Sequence, residues 1–427
     1  MTILTRPQCC GLSRDELTQL QLGKLNGILT SVSEHPLYAP SMAACQLPLR
    51  QLDELAGLPL VTKSDLLAAS PGEPGRIFAL PAEQYTRYHQ TSGSRGWPMP
   101  VLDTTADWAW WLDCWQYVLD AAEVTNADIA MMAFSFGPFI GFWSANDALV
   151  QRGVLVIPGG GLSSLARLNM IAQQRCSVLC CTPTYALHLA SVAAEHSIDL
   201  SKNNVSRIIV AGEPGGSVPT IREAIESQWG ARVIDHAGAS ELGAWGFASA
   251  DDSGLHVIES EFIAEFLVFD PVTAVPRRAA EGELSELVMT NLGRRGGPAI
   301  RYRTGDIVRP QWDHDLPCRF VHLPGGVLGR TDDMMVIRGV NVFPSSIEAI
   351  VREIAPTAEF RMIATRRDEM DQLRIEVENE GVTEVQTPLA ELLRDRMALR
   401  IPVTTVAPGS LPRSEGKSRR WVDERHR

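Results

Sequence analysis

From Ile129 onward, short apolar runs alternate with amphipathic stretches, and this alternation restricts the fold more than any other feature of the chain. The apolar runs are IAMMAF (129–134), GVLVIPGG (153–160), SVLCCTP (177–183) and SRIIVAGEP (206–214), and amphipathic segments lie near residues 162–174 and 185–196. Strands that alternate with helices in this way form βα units around a mostly parallel sheet. Ligands bind such sheets at the carboxyl ends of the strands, where Pro183 and Pro214 follow the apolar runs.

The pattern differs on either side of this region. Residues 14–69 are predicted to be helical, with Ser64 as an N-cap. From His256 to Val308 the apolar runs are shorter, which predicts an antiparallel or barrel-like subdomain. The segment LPGGVLGRTDD (323–333) is typical of a joint between domains. Because 427 residues exceed what one core usually supports, we predict an α/β fold with a large domain over residues 1–329 and a small α/β domain over residues 330–427.

Composition argues against several classes of function. The net charge of −12 and the pI near 5.3 disfavour a nucleic-acid partner or an anionic membrane surface. The chain shows neither a signal-peptide pattern nor a long apolar run, so we expect no membrane partner and a cytoplasmic location. Its eight cysteines show no CxxC spacing, which argues against a zinc ribbon and a disulfide framework. Cys180 and Cys181 are predicted to be buried thiols.

A hydroxyl- and glycine-rich run, TSGSRG, occupies residues 91–96. Glycine permits turns that a Cβ obstructs, so consecutive backbone N–H groups can converge on an anion, and the Thr and Ser hydroxyls add further donors. The run therefore predicts a phosphate-binding loop. A plain surface turn has the same composition and is the alternative.

Five motifs follow this loop: AGEP (211–214), GASE (238–241), YRTGD (302–306), GRTDD (329–333) and PRSEGK (412–417). Together they resemble the adenylate-forming superfamily of acyl-CoA synthetases and adenylation domains. Residues 329–348 and 411–417 are most similar to its phenylacetate-CoA ligase branch, and the resemblance extends from about Tyr85 to the C-terminus. It implies two half-reactions: a carboxylic acid and ATP form an acyl-adenylate and pyrophosphate, and a thiol then gives a thioester and AMP.

The resemblance also implies which residues hold ATP and Mg²⁺. The nucleotide-binding set comprises Thr91, Ser92, Gly93, Ser94, Arg95, Gly96, Gly212, Glu213, Pro214, Ala237, Gly238, Asp306 and Arg330. In the family the loop wraps the β- and γ-phosphates, the acid matching Asp306 accepts the ribose hydroxyls, and the arginine matching Arg330 contacts ribose or phosphate. Ser240 and Glu241 match the catalytic pair at the α-phosphate, with Glu241 as the Mg²⁺ ligand. One carboxylate completed by water and phosphate oxygens suits Mg²⁺.

Three positions depart from the family pattern. Arg95 replaces the usual second Thr of the loop, and an arginine can grip phosphate through two parallel hydrogen bonds. Trp97 stands where relatives have a Lys, which removes one cation. Ala237 replaces an aromatic residue beside adenine, which implies a roomier base site.

The same resemblance assigns a role in adenylation and a role in thioester formation to C-terminal residues. Lys417 matches the catalytic lysine that bridges the acyl carboxylate and the α-phosphate. Asp332 matches the hinge about which the small, mobile domain rotates. The rotation brings the segment around Arg338 and Gly339 to the site, where Gly339 leaves room for the pantetheine arm of CoA.

The acyl pocket is expected near the aromatic segment FSFGPFIGFW (134–143). The predicted pocket residues are Phe136, Gly137, Ala211, His236 and Gly238. Aromatic walls favour a flat, apolar acid, so the predicted substrate is an aryl acid such as phenylacetate, benzoate or an amino- or hydroxybenzoate. The Trp residues at 108, 111 and 115 have helical spacing and are predicted to face the core instead.

The same residues permit other interpretations. The acceptor thiol is either CoA or the phosphopantetheine of an acyl carrier protein. Some relatives adenylate a deazaflavin and stop there, and the three departures permit a nucleotide-binding pseudoenzyme. Taken singly, Glu241 could be an acid at a helix N-terminus and Lys417 part of a basic tail. A homodimer is the expectation for this branch, and His236 with His256 and Glu259 is not expected to bind zinc.

Overall fold

The computed structural model describes residues 4–43, 45–68, 70, 72–91, 98–134, 136–248, 254–270, 273–312, 315–331, 335–337, 340–356, 358–367, 370–379, 384–397, 399–412 and 420–425. Helices in these ranges are α1 (Arg6–Cys10), α2 (Arg14–Ser31), α3 (Ala39–Met42), α4 (Lys63–Leu66), α5 (Thr105–Ala121), α6 (Ile140–Gln151), α7 (Ser164–Gln173), α8 (Pro183–Glu195), α9 (Pro219–Trp229), α10 (Pro344–Ile354) and α11 (Gln386–Met397). Short 3-10 helices lie at Leu52–Gly57, Ala82–Gln84 and Leu200–Lys202. In the part of the chain so described, every helix is too short or too polar to cross a membrane.

Strands in the same ranges are β1 (Arg87–Gln90), β2 (Pro100–Asp103), β3 (Ile129–Met132), β4 (Leu155–Pro158), β5 (Val178–Cys181), β6 (Arg207–Ala211), β7 (Arg232–Ala239), β8 (Gly243–Phe247), β9 (Gly254–Val257), β10 (Phe262–Phe269), β11 (Pro276–Arg278), β12 (Ser285–Asn291), β13 (Tyr302–Val308), β14 (His322–Pro324), β15 (Gly329–Arg330), β16 (Met335–Ile337), β17 (Val340–Val342), β18 (Phe360–Arg367), β19 (Met370–Glu378), β20 (Val403–Val406) and β21 (Trp421–Asp423).

The central sheet contains the predicted βα units. Its order is β14-β9-β8-β7-β6-β5-β3-β4, and the strands from β7 to β4 in this order are parallel. Helices α6 to α9 alternate with these strands along the chain, which confirms the parallel α/β prediction. Strand β8 is antiparallel to β7. The turn between them, residues 240–242, therefore lies at the carboxyl edge of the parallel strands, the edge at which such sheets bind ligands.

A second sheet has the order β11-β10-β12-β13-β15, and each neighbouring pair is antiparallel. This confirms the antiparallel prediction for the region after His256. The pairing of β13 with β15 places Asp306 directly opposite Arg330. Two motifs separated along the chain thus become neighbours through strand register.

The C-terminal residues form a smaller α/β unit. Its sheet has the order β20-β19-β18-β21, and α10 and α11 pack on it around a hydrophobic core that includes Ile347, Leu389 and Ile375. This core is separate from the two that enclose the central sheet. The fold is therefore a large N-terminal α/β domain followed by a small C-terminal one, as expected.

The N-terminal segment is less helical than its composition suggests. Helix α2 is capped by Ser13, whose side chain accepts a hydrogen bond from the Glu16 backbone N–H. Beyond residue 31 the helices in the described part of this segment are short: α3, α4 and the 3-10 helix at Leu52–Gly57. The prediction of Ser64 as an N-cap was wrong, because Thr62 precedes the helix and its N–H donates to the Asp65 carboxylate at 2.8 Å. Asp65 reaches back over one turn, so α4 begins at Lys63.

The predictions about buried side chains hold. The Trp residues at 108, 111 and 115 of α5 are each no more than 5% exposed, so they belong to the core as expected. The Nε1 atom of Trp115 donates to Ser144 Oγ on α6 at 2.9 Å, which satisfies its polar atom. Cys180 and Cys181 lie fully inside β5 as free thiols, and burial raises their pKa values.

Candidate functional site

Glu241 lies in the turn after β7 and is only 5% exposed. Its Oε1 atom is 3.1 Å from Lys63 Nζ at the start of α4. Since the turn joins two strands, the alternative of a helix N-terminal acid was wrong. Sequence analysis missed Lys63, because no local spacing connects it to Glu241. The sequence signal at this position was the Thr62–Asp65 cap, which marks the start of α4 but does not indicate a contact with Glu241.

Lys63 also follows a segment that pairs with the YRTGD strand. The Val61 N–H donates to the Arg301 carbonyl at 3.0 Å, and the Arg303 N–H donates to the Val61 carbonyl at 2.8 Å. These two bonds make Val61 a bridge partner of Tyr302. The segment 61–63 therefore connects the GASE turn with the YRTGD strand.

Asp306 and Arg330 form an ion pair, with Arg330 Nη1 2.8 Å from Asp306 Oδ1. The Nη2 atom of Arg330 donates to the Thr304 carbonyl at 3.2 Å, and the Asp306 N–H donates to Thr304 Oγ1 at 2.9 Å. Asp306 is 9% exposed, so its carboxylate is largely enclosed. We refer to Lys63, Glu241, Asp306 and Arg330 together as the charged edge.

The base of the glycine-rich loop is a hairpin of β1 and β2. Gln90 lies opposite Pro100 in this hairpin, and Thr91 is 5% exposed. The Thr91 N–H donates to the Met99 carbonyl, and the Met99 N–H donates to Thr91 Oγ1, both at 3.0 Å. The predicted phosphate-binding residues Ser92, Gly93, Ser94, Arg95 and Gly96, and the departure Trp97, lie outside the described residues.

The AGEP turn is held to the start of α8. The Glu213 carboxylate accepts a hydrogen bond from the Thr184 backbone N–H at 2.9 Å and a second one from the Thr184 hydroxyl. Gly212 has φ of +96°, a conformation that favours glycine. The side chain of Glu213 is thus oriented toward the start of α8.

The residues predicted on β6 and β7 lie side by side. Ala211 pairs with His236 across these strands, and Ala237 and Gly238 follow on β7. The His236 ring is 4.2 Å from that of Trp115, and its Nδ1 is 2.8 Å from the Gly246 carbonyl, to which Nδ1–H donates. Burial lowers the pKa of His236 to about 4. The imidazole is therefore neutral near pH 7.

A cavity of about 560 Å³ opens at the carboxyl ends of β3 and β4. Its lining residues are Phe136, Gly137, Pro158, Gly160 and Gly161. Phe136 packs edge-on against Trp143 at 4.9 Å, and Trp143 Nε1 donates to the Gly137 carbonyl at 3.0 Å. A Cβ at Gly160 would lie 2.9 Å from Phe136 Cδ2. We call this space the glycine-lined cavity.

The glycine-lined cavity contains two of the five predicted pocket residues, Phe136 and Gly137. Ala211, His236 and Gly238 lie on β6 and β7, further along the sheet order, and do not line it. Pro158, Gly160 and Gly161 were missed as pocket residues, although the run GVLVIPGG marked this strand exit.

The predicted C-terminal site residues Asp332, Arg338, Gly339 and Lys417 lie outside the described residues. The described part resumes at Arg420, whose guanidinium is 2.7 Å from Glu348 on α10 and also pairs with Glu359. Its carbonyl accepts a hydrogen bond from the Met362 N–H at 2.7 Å. The segment that follows the predicted catalytic lysine is thus firmly attached to α10 and β18.

Known proteins are similar to this chain along nearly its full length. The family described as AMP-binding enzyme C-terminal domain matches residues 339–425. A phenylacetate-coenzyme A ligase of Pseudomonas putida is 31% identical over 430 residues, covering 97% of this chain and 95% of that protein. One from Escherichia coli (strain K12) is 31% identical over 434 residues, covering 97% and 96%.

Solved structures of 2-hydroxyisobutyryl-CoA ligase share the fold. In the postadenylation state with 2-HIB-AMP the TM-score is 0.88 at 27% identity, over 97% of this chain and 91% of that one. In the thioesterification state with CoA it falls to 0.72 at 27% identity, over 100% and 94%. The present arrangement is thus more similar to the postadenylation state. With its full-length relatives and this fold, the chain belongs to the phenylacetate-CoA ligase branch of the adenylate-forming superfamily, a family of AMP-forming acid–CoA ligases.

Proposed function

We propose that this protein activates an aryl carboxylic acid with ATP, releases pyrophosphate, and transfers the acyl group from AMP to the thiol of CoA. The observation that best supports this function is the link made by residues 61–63. It joins the GASE turn to the YRTGD strand, so that Glu241 and Asp306 belong to one charged edge. To bind ATP, a site must hold the metal ion at the phosphates and the ribose at the same time. The charged edge offers Glu241 for the metal ion and Asp306 for the ribose.

The residues of the charged edge suit Mg²⁺ and ATP. Glu241 supplies one enclosed carboxylate and Ser240 a neighbouring hydroxyl, and Mg²⁺ commonly takes one or two carboxylates with substrate phosphates and water. When bound, the metal ion neutralises phosphate charge. Lys63 keeps a cation beside Glu241, and we propose that it compensates for the lysine that Trp97 replaces in the glycine-rich loop.

We assign the remaining nucleotide contacts as follows. Asp306 accepts hydrogen bonds from the ribose hydroxyls, and Arg330 orients it and contacts ribose or phosphate. The glycine-rich loop surrounds the β- and γ-phosphates, and the backbone at Gly212 and Gly238 flanks the adenine. Lys417 brings a compact positive charge between the two anions that must react, the acid and the α-phosphate.

The substrate class follows from the glycine-lined cavity. Its lining is apolar, with Phe136 and Pro158 as walls, and Gly137, Gly160 and Gly161 add no side chains, so a flat ring fits. Cavities of about 300–1,000 Å³ are usual for small ligands, and a ring with a short acidic arm lies well within the space present. We propose phenylacetate or a similar arylacetic or benzoic acid as the substrate, since two relatives are named phenylacetate-coenzyme A ligases.

We further propose that the two half-reactions use two arrangements of the domains. The boundary lies near residues 329 and 330, with Asp332 as the hinge, and rotation would exchange Lys417 for the segment around Gly339 at the site. The better superposition on the postadenylation state than on the thioesterification state supports this proposal. The present arrangement would then serve acyl-adenylate formation.

The function is tested by pyrophosphate exchange. The purified protein with Mg²⁺ should exchange labelled pyrophosphate into ATP only when an aryl acid is added, and phenylacetate should give the highest kcat/KM in a panel of acids. CoA and a phosphopantetheinylated carrier protein are then supplied as competing acceptors, and CoA should be consumed. Absence of exchange with every acid would refute the proposal; consumption of carrier protein instead of CoA would redirect its second step.

The role of Lys417 needs a separate measurement. Lys417→Ala should lose exchange while it still converts added acyl-adenylate and CoA to acyl-CoA. Arg419→Ala is the matched control, because it removes a cation two residues away in the same segment. Equal loss in both variants would show that the basic character of the segment, and not the lysine itself, supports adenylation.

A further inference from the structure

Arg294 is a fully buried arginine that the proposed mechanism does not use. Its side chain and that of Asp103 are both 0% exposed, and its Nε donates to Asp103 Oδ1 at 2.8 Å. The guanidinium also lies over the rings of Phe78 and Trp111, at 5.3 and 5.5 Å. A charge so far from water is tolerated only when it is paired and its donors are satisfied.

The donors of Arg294 go to two functional segments. Its Nη1 donates to the Ser240 carbonyl at 2.8 Å, in the turn that contains Glu241. Its Nη2 donates to the Leu102 carbonyl at 3.4 Å, next to Asp103 at the end of β2. Strand β2 is the second strand of the hairpin that contains the glycine-rich loop, and Asp103 pairs with Arg87 across it.

A second contact holds the same turn. Asn291 Nδ2 donates to the Leu242 carbonyl at 3.1 Å, two residues beyond Ser240. The carbonyls on either side of Glu241 are therefore both fixed from the segment that ends β12. With its backbone held in this way, Glu241 projects toward Lys63.

We propose that Arg294 is a positioning residue that fixes the Ser240–Glu241 turn relative to the β1–β2 hairpin. The inference rests on the proposed function, in which Glu241 and the glycine-rich loop bind the same ATP molecule. A guanidinium is a rigid planar fork, so it sets the separation and angle of the two segments that it joins. A lysine at this place would keep the charge but could not hold both segments in that geometry.

The test uses Arg294→Lys and Asp103→Asn, with Mg·ATP binding measured by titration calorimetry at several Mg²⁺ concentrations. Both variants should raise the Kd of Mg·ATP about tenfold, the usual effect of a lost charged hydrogen bond. They should leave the affinity for the aryl acid within twofold of wild type. Hydrogen exchange of the amides at 239–243 should accelerate, which gives a readout independent of catalysis.

Two arginines provide matched controls. Arg301 is also buried and pairs with Glu265 at 2.8 Å, but its side chain contacts neither the turn nor the hairpin. Arg295 is the exposed neighbour of Arg294. Arg301→Met should lower Tm and keep the wild-type Kd for Mg·ATP, and Arg295→Met should change neither.

The inference is overturned if Arg294→Lys and Asp103→Asn bind Mg·ATP as wild type does, or if Arg301→Met raises the Kd equally. Asp103→Asn is nearly isosteric, so it decides the question if the lysine variant does not fold. A wild-type protein that binds Mg·ATP but shows no acid-dependent exchange would refute the proposed function alone. Wild-type exchange with unchanged variants would refute the positioning role alone.

Discussion

The charged edge and the glycine-lined cavity are built from opposite kinds of interaction. In the charged edge, carboxylates pair with cations at 3.1 and 2.8 Å, and each pair joins distant parts of the chain. The lining of the cavity is aromatic, proline and glycine, with no ionisable side chain among its five residues. One site acts through charge at defined distances and the other through shape and volume.

This difference predicts two kinds of failure. Loss of a carboxylate at the edge removes a charge that acts at a defined distance from its cationic partner, and such charges interact strongly with anionic phosphates and with Mg²⁺. Added atoms in the cavity change only which acid fits, since apolar contacts are graded and adaptable. Substitutions at the edge should therefore lower activity to the same extent with every acid, whereas substitutions in the cavity should discriminate between acids.

The largest effect is expected for Glu241→Gln. It removes the carboxylate proposed for Mg²⁺ and leaves Lys63 without its partner, so kcat/KM for pyrophosphate exchange should fall at least about 100-fold, as for lost transition-state electrostatics. Glu265→Gln is the control, because it neutralises another enclosed carboxylate that pairs with Arg301. A loss that varies from acid to acid would contradict this separation of roles, since the charged edge should not contact the ring of the acid.

Asp306→Asn should have a smaller effect, confined to ATP. The variant keeps its shape but loses a charged acceptor for ribose, so KM for ATP should rise roughly 20-fold with kcat nearly unchanged. Steady-state kinetics with ATP and 2′-deoxy-ATP sharpen the test. Wild type should prefer ATP, and the variant should lose that preference. A variant that still discriminates between the two nucleotides would contradict the ribose assignment.

Gly160→Ala should affect the acid alone. The new Cβ would lie 2.9 Å from Phe136 Cδ2, so this ring, which lines the cavity, must shift. We expect KM for phenylacetate to rise about tenfold, the effect of a misfit of one methyl group, with KM for ATP unchanged. Gly141→Ala on α6 is the control, because nothing lies within 4 Å of its added Cβ. If KM for ATP rose as much as KM for phenylacetate, the cavity and the charged edge would not be separate sites.

The smallest effect concerns His236, which lies on β7 between the two regions. Burial lowers its pKa to about 4, below the ordinary 6.5. The unfolded chain thus binds the proton more readily, and the stabilisation present above pH 6.5 is lost as pH falls toward 4. Between pH 7 and 5.5 wild type should lose about 1 kcal/mol of unfolding free energy relative to His236→Gln, measured by urea denaturation at both pH values.

The test compares wild type with His236→Gln because the neighbouring Asp235 changes the unfolding free energy in the opposite direction as pH falls. Burial raises the pKa of Asp235 to about 6, so its proton uptake favours the folded state as pH falls. Asp235 is present in both proteins, and its effect cancels. A wild-type curve parallel to that of the variant would mean that His236 titrates normally and is open to water.

The short motifs predicted Glu241, Asp306 and Arg330 as site residues from their neighbours in the chain. Strand register brings Asp306 opposite Arg330, as a shared site requires, while their roles stay a prediction. The aromatic segment pointed to Phe136 and Gly137, which do line the cavity. Ala211, His236 and Gly238 lie on β6 and β7, and strand order separates them from this cavity at β3 and β4, so their place in the acyl pocket stays a prediction.

Local patterns were sufficient to predict the α/β class and the parallel sheet, since periodicity and turn chemistry act over a few neighbouring residues. They could not reveal that Lys63 pairs with Glu241, that Arg294 joins Ser240 to Asp103, or that Gly160 faces Phe136. Each of these contacts connects residues on different elements, and only the packing of sheets and helices brings such residues together. The sequence therefore determines which chemical groups are present, and the fold determines which of them come into contact.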